Sequence, residues 1–206
     1  MPVEAGKRGQ AVLGVFLDSE TNGLNFHKHR VLEIAFQVVD VLSGEVKDSF
    51  ESLVSISPEE WAKSDPVSLK VNGFTWEQMQ AGVAAAKVGL EIQNKFAKNG
   101  IKRGGAVFIC QNPSFDRVFF SQLVDTDLQE SLLWPYHWLD LASMYWAESM
   151  KQGASGQGNF PWETGYSKDK IAIAHSLPKE EQPHRAMNGV KHLLLCYKAV
   201  VGFPRP

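Results

Sequence analysis

Val12-Leu13-Gly14-Val15-Phe16-Leu17-Asp18-Ser19-Glu20-Thr21-Asn22-Gly23-Leu24 is the stretch that decides the fold. Its first half, Val12 to Leu17, reads as a buried strand. A buried strand normally ends in turn residues, but this one ends in two carboxylates. A spacing of two puts Asp18 and Glu20 on the same side of an extended chain. Carboxylates held that close repel, and their pKa values rise unless a cation sits between them. Hard oxygen donors of this kind suit magnesium or manganese. The alternative is a polar strand end with two solvated acids, and this segment alone leaves both open.

Working outward, Val107-Phe108-Ile109-Cys110-Gln111-Asn112-Pro113-Ser114-Phe115-Asp116 repeats the pattern of strand, polar turn and acid. Pro113 and Ser114 are natural first-turn residues of a helix. Asp116 falls in that first turn, where an acid is common for dipole reasons alone. The third segment is Gln182-Pro183-His184-Arg185-Ala186-Met187-Asn188-Gly189-Val190. Here His184 lies just ahead of a helix predicted to run to about Val200. Ala186, Val190, Leu193, Leu194, Tyr197 and Val201 recur at helical spacing and form its buried face. A histidine at a helix start is more often a cap or a surface residue than a catalyst.

In this order and separation the three segments resemble the motifs of the DEDDh 3′-to-5′ exonucleases. That family includes the proofreading epsilon subunit of DNA polymerase III, ribonuclease T and oligoribonuclease. Asp18-Ser-Glu20-Thr-x-Gly-Leu matches the first motif, Asn112-x-x-Phe115-Asp116 the second, and His184-Arg-Ala186 opens the third. Val31-Leu32-Glu33-Ile34-Ala35 and Leu139-Asp140-Leu141 add smaller matches between them. The likeness runs over roughly residues 11 to 201. There are three departures. The last acid of the third motif falls on Gly189, beside Asn188; a common histidine before Asn112 is Gln111; and the histidine of a His-Gly-Ile segment is Asn72, ahead of Gly73 and Phe74.

The resemblance implies an α/β, ribonuclease H-like architecture, a mixed five-stranded sheet flanked by helices. It implies residues 1–10 as an N-terminal extension and 11–203 as the exonuclease domain. The expected activity is metal-dependent 3′-to-5′ hydrolysis of single-stranded DNA or short RNA. Two divalent cations, Mg²⁺ or Mn²⁺, would activate the water and stabilise the leaving oxyanion. By the same resemblance Asp18, Glu20 and Asp116 hold metal, and His184 is the general base, a role suited to a side chain type that titrates near neutrality. Backbone groups of Thr21 and Asn22, together with Phe74, would line the 3′-terminal nucleotide; Phe74 tucked against the core is the equal alternative. The missing fourth carboxylate implies reduced activity, better supported by Mn²⁺, and restoration by Gly189→Asp. The reading from another class is a lapsed relative that binds nucleic acid or a polymerase partner. A homodimer is a further partner reading.

Composition fits this frame. The chain has 206 residues, enough for one core, with 44% hydrophobic and 21% charged residues. No apolar run approaches membrane-spanning length, and the start lacks an apolar signal core. The two cysteines, Cys110 and Cys196, fall in a strand and an amphipathic helix and read as reduced core residues, so a cytoplasmic protein without membrane contact is expected. A net charge of −2 excludes a basic phosphate-coating binder. Local charges left to guide a strand are His27-Lys28-His29-Arg30, Lys102-Arg103, Lys168 with Lys170, and Arg185.

Between the motifs, alternation over Leu32 to Val38 and a turn at Ser43-Gly44 predict a hairpin with Glu45 to Ile56. Thr75-Trp-Glu-Gln78 has capping-box form, with helix to about Asn99, broken near Gly82 or Gly89. Helices over 113–124 and 140–150 and a strand at 136–139 follow. Residues 151–165, rich in Gly, Ser and Asn, read as a mobile surface loop.

Overall fold

The computed structural model describes residues 12–205. The segment 1–10, read as an extension, lies outside the described residues. Six strands form one sheet: β1 (Leu13–Thr21), β2 (Val31–Asp40), β3 (Val46–Ser55), β4 (Val83–Ala84), β5 (Ala106–Cys110) and β6 (Trp138–Asp140). The early helices are α1 (Pro58–Trp61), α2 (Pro66–Asn72), α3 (Trp76–Gln80) and α4 (Ala85–Asn99). Then come α5 (Pro113–Phe120), α6 (Thr126–Ser131), α7 (Leu141–Ala154), α8 (Pro161–Thr164), α9 (Lys168–Ala174) and α10 (Ala186–Val200).

The strand order is β4-β3-β2-β1-β5-β6. β1 to β3 pair antiparallel, while β5 joins β1, and β6 joins β5, in parallel. This is the mixed, helix-flanked sheet expected. It has a sixth strand because Val83 and Ala84 add a two-residue edge to Val54 and Ser55.

Strand alternation sends successive side chains of β1 into two layers. Val15 and Leu17 join Phe36, Phe96, Phe108, Phe119 and Phe120 on the side of α4 and α5. Phe16 joins Leu141, Tyr145, Ile171, Val190, Leu193 and Tyr197 on the side of α7, α9 and α10. The first layer is aromatic: Phe108 stacks on Trp138 with centroids 4.0 Å apart, and Phe96 meets Trp134 edge-on at 4.7 Å. Each fully buried phenyl contributes about 1.5–3 kcal/mol.

Several local expectations change. The helix predicted to Asn99 breaks at Gly82 and continues through Gly89, where a Cβ would stand 2.2 Å from the Leu123 carbonyl oxygen. Gly89 therefore serves close approach of backbones and does not end the helix. Helix 113–124 stops at Phe120, and Asp125 caps α6, an element the apolar pattern did not reveal. Residues 151–165 are more ordered than a loop: α7 runs to Ala154, and Phe160 packs on Gly153 and stacks on Trp162 at 4.6 Å before α8. The aromatic residues supply the packing that the Gly and Ser content concealed. Among the described residues no helix is long and apolar enough to cross a membrane.

Candidate active site

The site lies where the sheet opens. β1 and β5 stay paired from Leu13–Ala106 to Phe16–Ile109. β5 then ends at Cys110, while β1 runs on to Thr21 held by β2 alone. Crevices of this kind, beyond the carboxyl ends of parallel strands, are where α/β sheets bind ligands. Asp18 and Glu20 stand on this stretch, on the face of Phe16 and α10. Ser19 points the other way and donates a hydrogen bond to Asp116 Oδ1 at 2.8 Å.

Asp116 is 3% exposed in the first turn of α5. The turn that delivers it needs Asn112 in the left-handed region (φ 58°), which asparagine tolerates better than most residues. Asn112 N–H donates to Asp140 Oδ1 at 3.1 Å, and the same carboxylate caps α7 through Ala142 N–H at 3.0 Å. The Leu139-Asp140-Leu141 match thus has a structural job: it ties the strand ends to the helix that carries Asp116.

His184 arrives from the other side of the molecule. Ala186 N–H, at the start of α10, donates to Glu33 Oε2 of β2 at 2.6 Å. A carboxylate at a helix N-terminus is favoured by the dipole and satisfies an orphan donor. His184 Nδ1 is then 4.0 Å from Glu20 Oε1 and 3.4 Å from Glu180 Oε1. The structure so places Asp18, Glu20 and His184 in one cluster, with Asp116 attached through Ser19.

Two further members escaped sequence reading. Lys168, taken with Lys170 as a strand-guiding charge, is instead buried and donates to Asp18 Oδ1 at 2.9 Å. Its Nζ also lies 3.1 Å from Glu180 Oε2. Neither sits in a motif. The one available signal was that Glu180 precedes His184 by a helical turn's worth of chain, in a segment otherwise short of the expected acid. Gly189, where the family has an acid, faces this group: a Cβ there would stand 2.2 Å from Asp18 Oδ2 and 3.0 Å from Lys168 Nζ.

The electrostatics follow from crowding. Burial, and then the neighbouring Asp18, pushes Glu20 up to about 8. Burial likewise raises Asp18 against the pull of Lys168, and raises Asp116 well above the carboxylate range with Asp18 adding to it. Glu180 goes the other way: burial would raise it, but His192 and Lys168 draw it down to about 2. An acid with a raised folded-state pKa stabilises the fold fully below its unfolded value, and that contribution is lost as pH rises through the folded value. With chelator present, the melting temperature of the wild type relative to Glu20→Gln should therefore fall from pH 5 to pH 9. A difference that stays flat across that range would show that Glu20 ionises without penalty.

The substrate-lining residues divide. A cavity of about 270 Å³ beside Glu20 is lined by Thr21, Leu24, Val71, Asn72 and Phe115 among others. Thr21 is among the residues that line it. Asn22 is fully buried; its side chain donates to the Glu60 carbonyl and Ser64 Oγ and accepts from Arg30 N–H, and its backbone bonds Arg30 and Asp65. It shapes the turn and offers nothing to a ligand. Phe74 is also withdrawn: it packs with Leu32 and Met79, and Arg185 covers its ring at 4.2 Å. Gly73 turns the chain inward after α2, so the apolar walls are Leu24, Val71 and Phe115 instead. Asn72, in the place of a family histidine, donates to the Thr21 carbonyl at 3.0 Å. Of the guiding charges, Arg30 is paired with Glu60 at 2.6 Å and Arg103 with Glu130 at 2.5 Å.

As a donor set, Asp18, Glu20 and Asp116 offer hard carboxylate oxygens, the chemistry that a divalent ion takes. Among the described residues no three such side chains are gathered in metal-ligand geometry, and the cation facing Asp18 is Lys168. A second ion does not fit in the same way, since the Lys168 ammonium already stands between Asp18 and Glu180.

Comparison with known proteins places the chain in a family. The exonuclease (RNase T) family model matches residues 15–194, and the chain belongs to that family. Ribonuclease T of Actinobacillus pleuropneumoniae serotype 5b is 29% identical over 121 residues, 57% of this chain and 56% of that one. Ribonuclease T of Haemophilus ducreyi is 28% identical over 142 residues, 66% of each chain. The chain thus spans between about half and two thirds of these relatives. Among solved structures, the nuclease domain of 3′hExo, a DEDDh family member, bound to rAMP, shares the fold at TM-score 0.67 and 12% identity, over 98% of both chains. An E. coli ExoI–ssDNA complex in its zinc-bound form matches at TM-score 0.70 and 16% identity, over 92% of this chain and 40% of that one. Cell-death related nuclease 4 matches at 0.69 and 14%, over 95% and 66%.

Proposed function

We propose that this chain is a divalent-cation-dependent 3′-to-5′ exonuclease acting on single-stranded DNA or short RNA. The observation that carries the reading is the convergence of Asp18, Glu20 and His184 beside a cavity the size of a nucleotide fragment. A bound Mg²⁺ or Mn²⁺ on Asp18 and Glu20, with Asp116 behind Ser19, would lower the pKa of a water and polarise the phosphate. His184 takes the water proton. Glu180 Oε1, 3.4 Å from Nδ1, places a negative charge beside the imidazolium that forms. The water oxygen bonds to phosphorus, the bond from phosphorus to the 3′ oxygen breaks, and that oxygen is protonated from solvent. The products are a mononucleotide with a 5′ phosphate and a strand shorter by one. Leu24, Val71 and Phe115 offer apolar contact to the terminal base without reading its edge, which suits an enzyme indifferent to sequence.

The test is degradation of 5′-labelled single-stranded DNA and RNA in Mg²⁺, Mn²⁺ or chelator. A ladder shortening from the 3′ end, absent in chelator, is expected. Nucleic acid bound but left intact under all conditions would instead favour the lapsed relative. His184→Ala should lower kcat by about 10²–10⁴. Its melting temperature should hardly move, because the side chain is 32% exposed. A variant with wild-type turnover would remove His184 from the role of base.

A further inference from the structure

The Lys168 ammonium is gripped from two sides, by Asp18 Oδ1 at 2.9 Å and Glu180 Oε2 at 3.1 Å. Glu180 is buried at 3% exposure, and Lys168 and Asp18 are mostly covered at 13% each. The grip is built into the fold. Ser167 caps α9, which starts at Lys168. Glu180 N–H donates to Asp169 Oδ1 at 3.1 Å, so the segment carrying the carboxylate is tied to the helix carrying the ammonium. Behind Glu180 stands His192, with Nδ1 3.7 Å from Oε2 and Nε2 2.9 Å from the Pro178 carbonyl oxygen. A surface lysine that had merely drifted onto a carboxylate would have no such frame.

Gly189 completes the arrangement from α10. Its Cβ position is 3.0 Å from Lys168 Nζ and closer still to Asp18 Oδ2, so a side chain there and the ammonium compete for one space. The absent acid and the lysine therefore meet in one space. A carboxylate that would draw a mobile ion is gone, and a tethered positive charge with its own counter-carboxylate stands in the gap. Breaking a buried pair of this kind leaves uncompensated charge, which is costly, so the ammonium is held there rather than exchanged.

We propose that the Lys168 ammonium permanently takes the place of a second divalent ion, so that this site binds one exchangeable divalent ion and not two. The proposal deepens the exonuclease reading and relies on it for the role of the remaining ion.

The test is Mn²⁺ binding in the absence of nucleic acid, followed by the paramagnetic resonance of the free ion. The wild type should bind one Mn²⁺ per chain. Lys168→Met, which keeps the unbranched stem but not the charged end, bares Asp18 and Glu180 to ions and should bind a second. Lys168→Met combined with Glu180→Gln should return to one. Two sites of comparable affinity in the wild type, or none, would overturn the proposal, as would an unchanged count in Lys168→Met. The wild-type count decides even if a variant fails to fold. A chain that binds one Mn²⁺ and cleaves neither DNA nor RNA refutes the exonuclease reading and leaves this inference standing.

Discussion

Asp18→Asn is expected to reduce cleavage of a 5′-labelled single strand by about 10³-fold or more, since in the proposed mechanism several kcal/mol of transition-state stabilisation pass through this one carboxylate. Asp18 is where the strand end, Lys168 and the space beside Gly189 meet. The amide keeps the shape but neither the charge nor the affinity for a hard cation. Calorimetric Mn²⁺ titration should show affinity falling with activity. The melting temperature should change little, because Lys168 retains Glu180 and a buried carboxylate with a raised pKa has been relieved. Unchanged Mn²⁺ affinity, or turnover within tenfold of wild type, would remove Asp18 from the centre of the site.

The second large effect reverses the expectation drawn from the missing acid. From sequence, Gly189→Asp restores the family's donor set and raises activity. From the structure, any side chain at position 189 arrives 2.2 Å from Asp18 Oδ2. The carboxylate must leave the position in which Lys168 holds it. Misplacing a reacting group by about 1 Å costs on the order of 10² in rate. Gly189→Ala and Gly189→Asp should therefore both lose at least about 10²-fold in turnover. Alanine in a helix normally gains about 0.5–1 kcal/mol over glycine. Here crowding of about 1–3 kcal/mol should outweigh that gain and lower the melting temperature. An alanine variant that is as active as the wild type and more stable would show that Asp18 moves freely, and the argument from space would fall.

What could be read in the sequence was whatever declares itself locally. The alternation of Leu32 to Val38, the apolar run ending at Asp18 and the box at Thr75 each carry their own period or cap, and β2, β1 and α3 appear where those signals lie. The motif residues were legible as types at spacings. Partners brought together by the fold were not. Lys168 and Asp18 are 150 positions apart, and nothing in Ser167-Lys168-Asp169 announces that the lysine turns inward. Phe74 and Asn22 show the converse. Their neighbours match a pattern that lines a pocket, but Arg185 covers one and the turn around Ser64 consumes the other.

The bond between Glu33 and Ala186 also fixes an order of events. It joins β2 to α10 across 153 positions of chain, and until it forms neither His184 nor the Gly189 surface is beside Asp18. Contacts at such separation close late, after the local hairpins and helices have formed. The strand bearing both acids can thus be complete while the hydrolytic centre does not yet exist. A nascent chain synthesised from its N-terminus carries both acids of β1 but not the assembled cluster until residues 186–200 have emerged and docked.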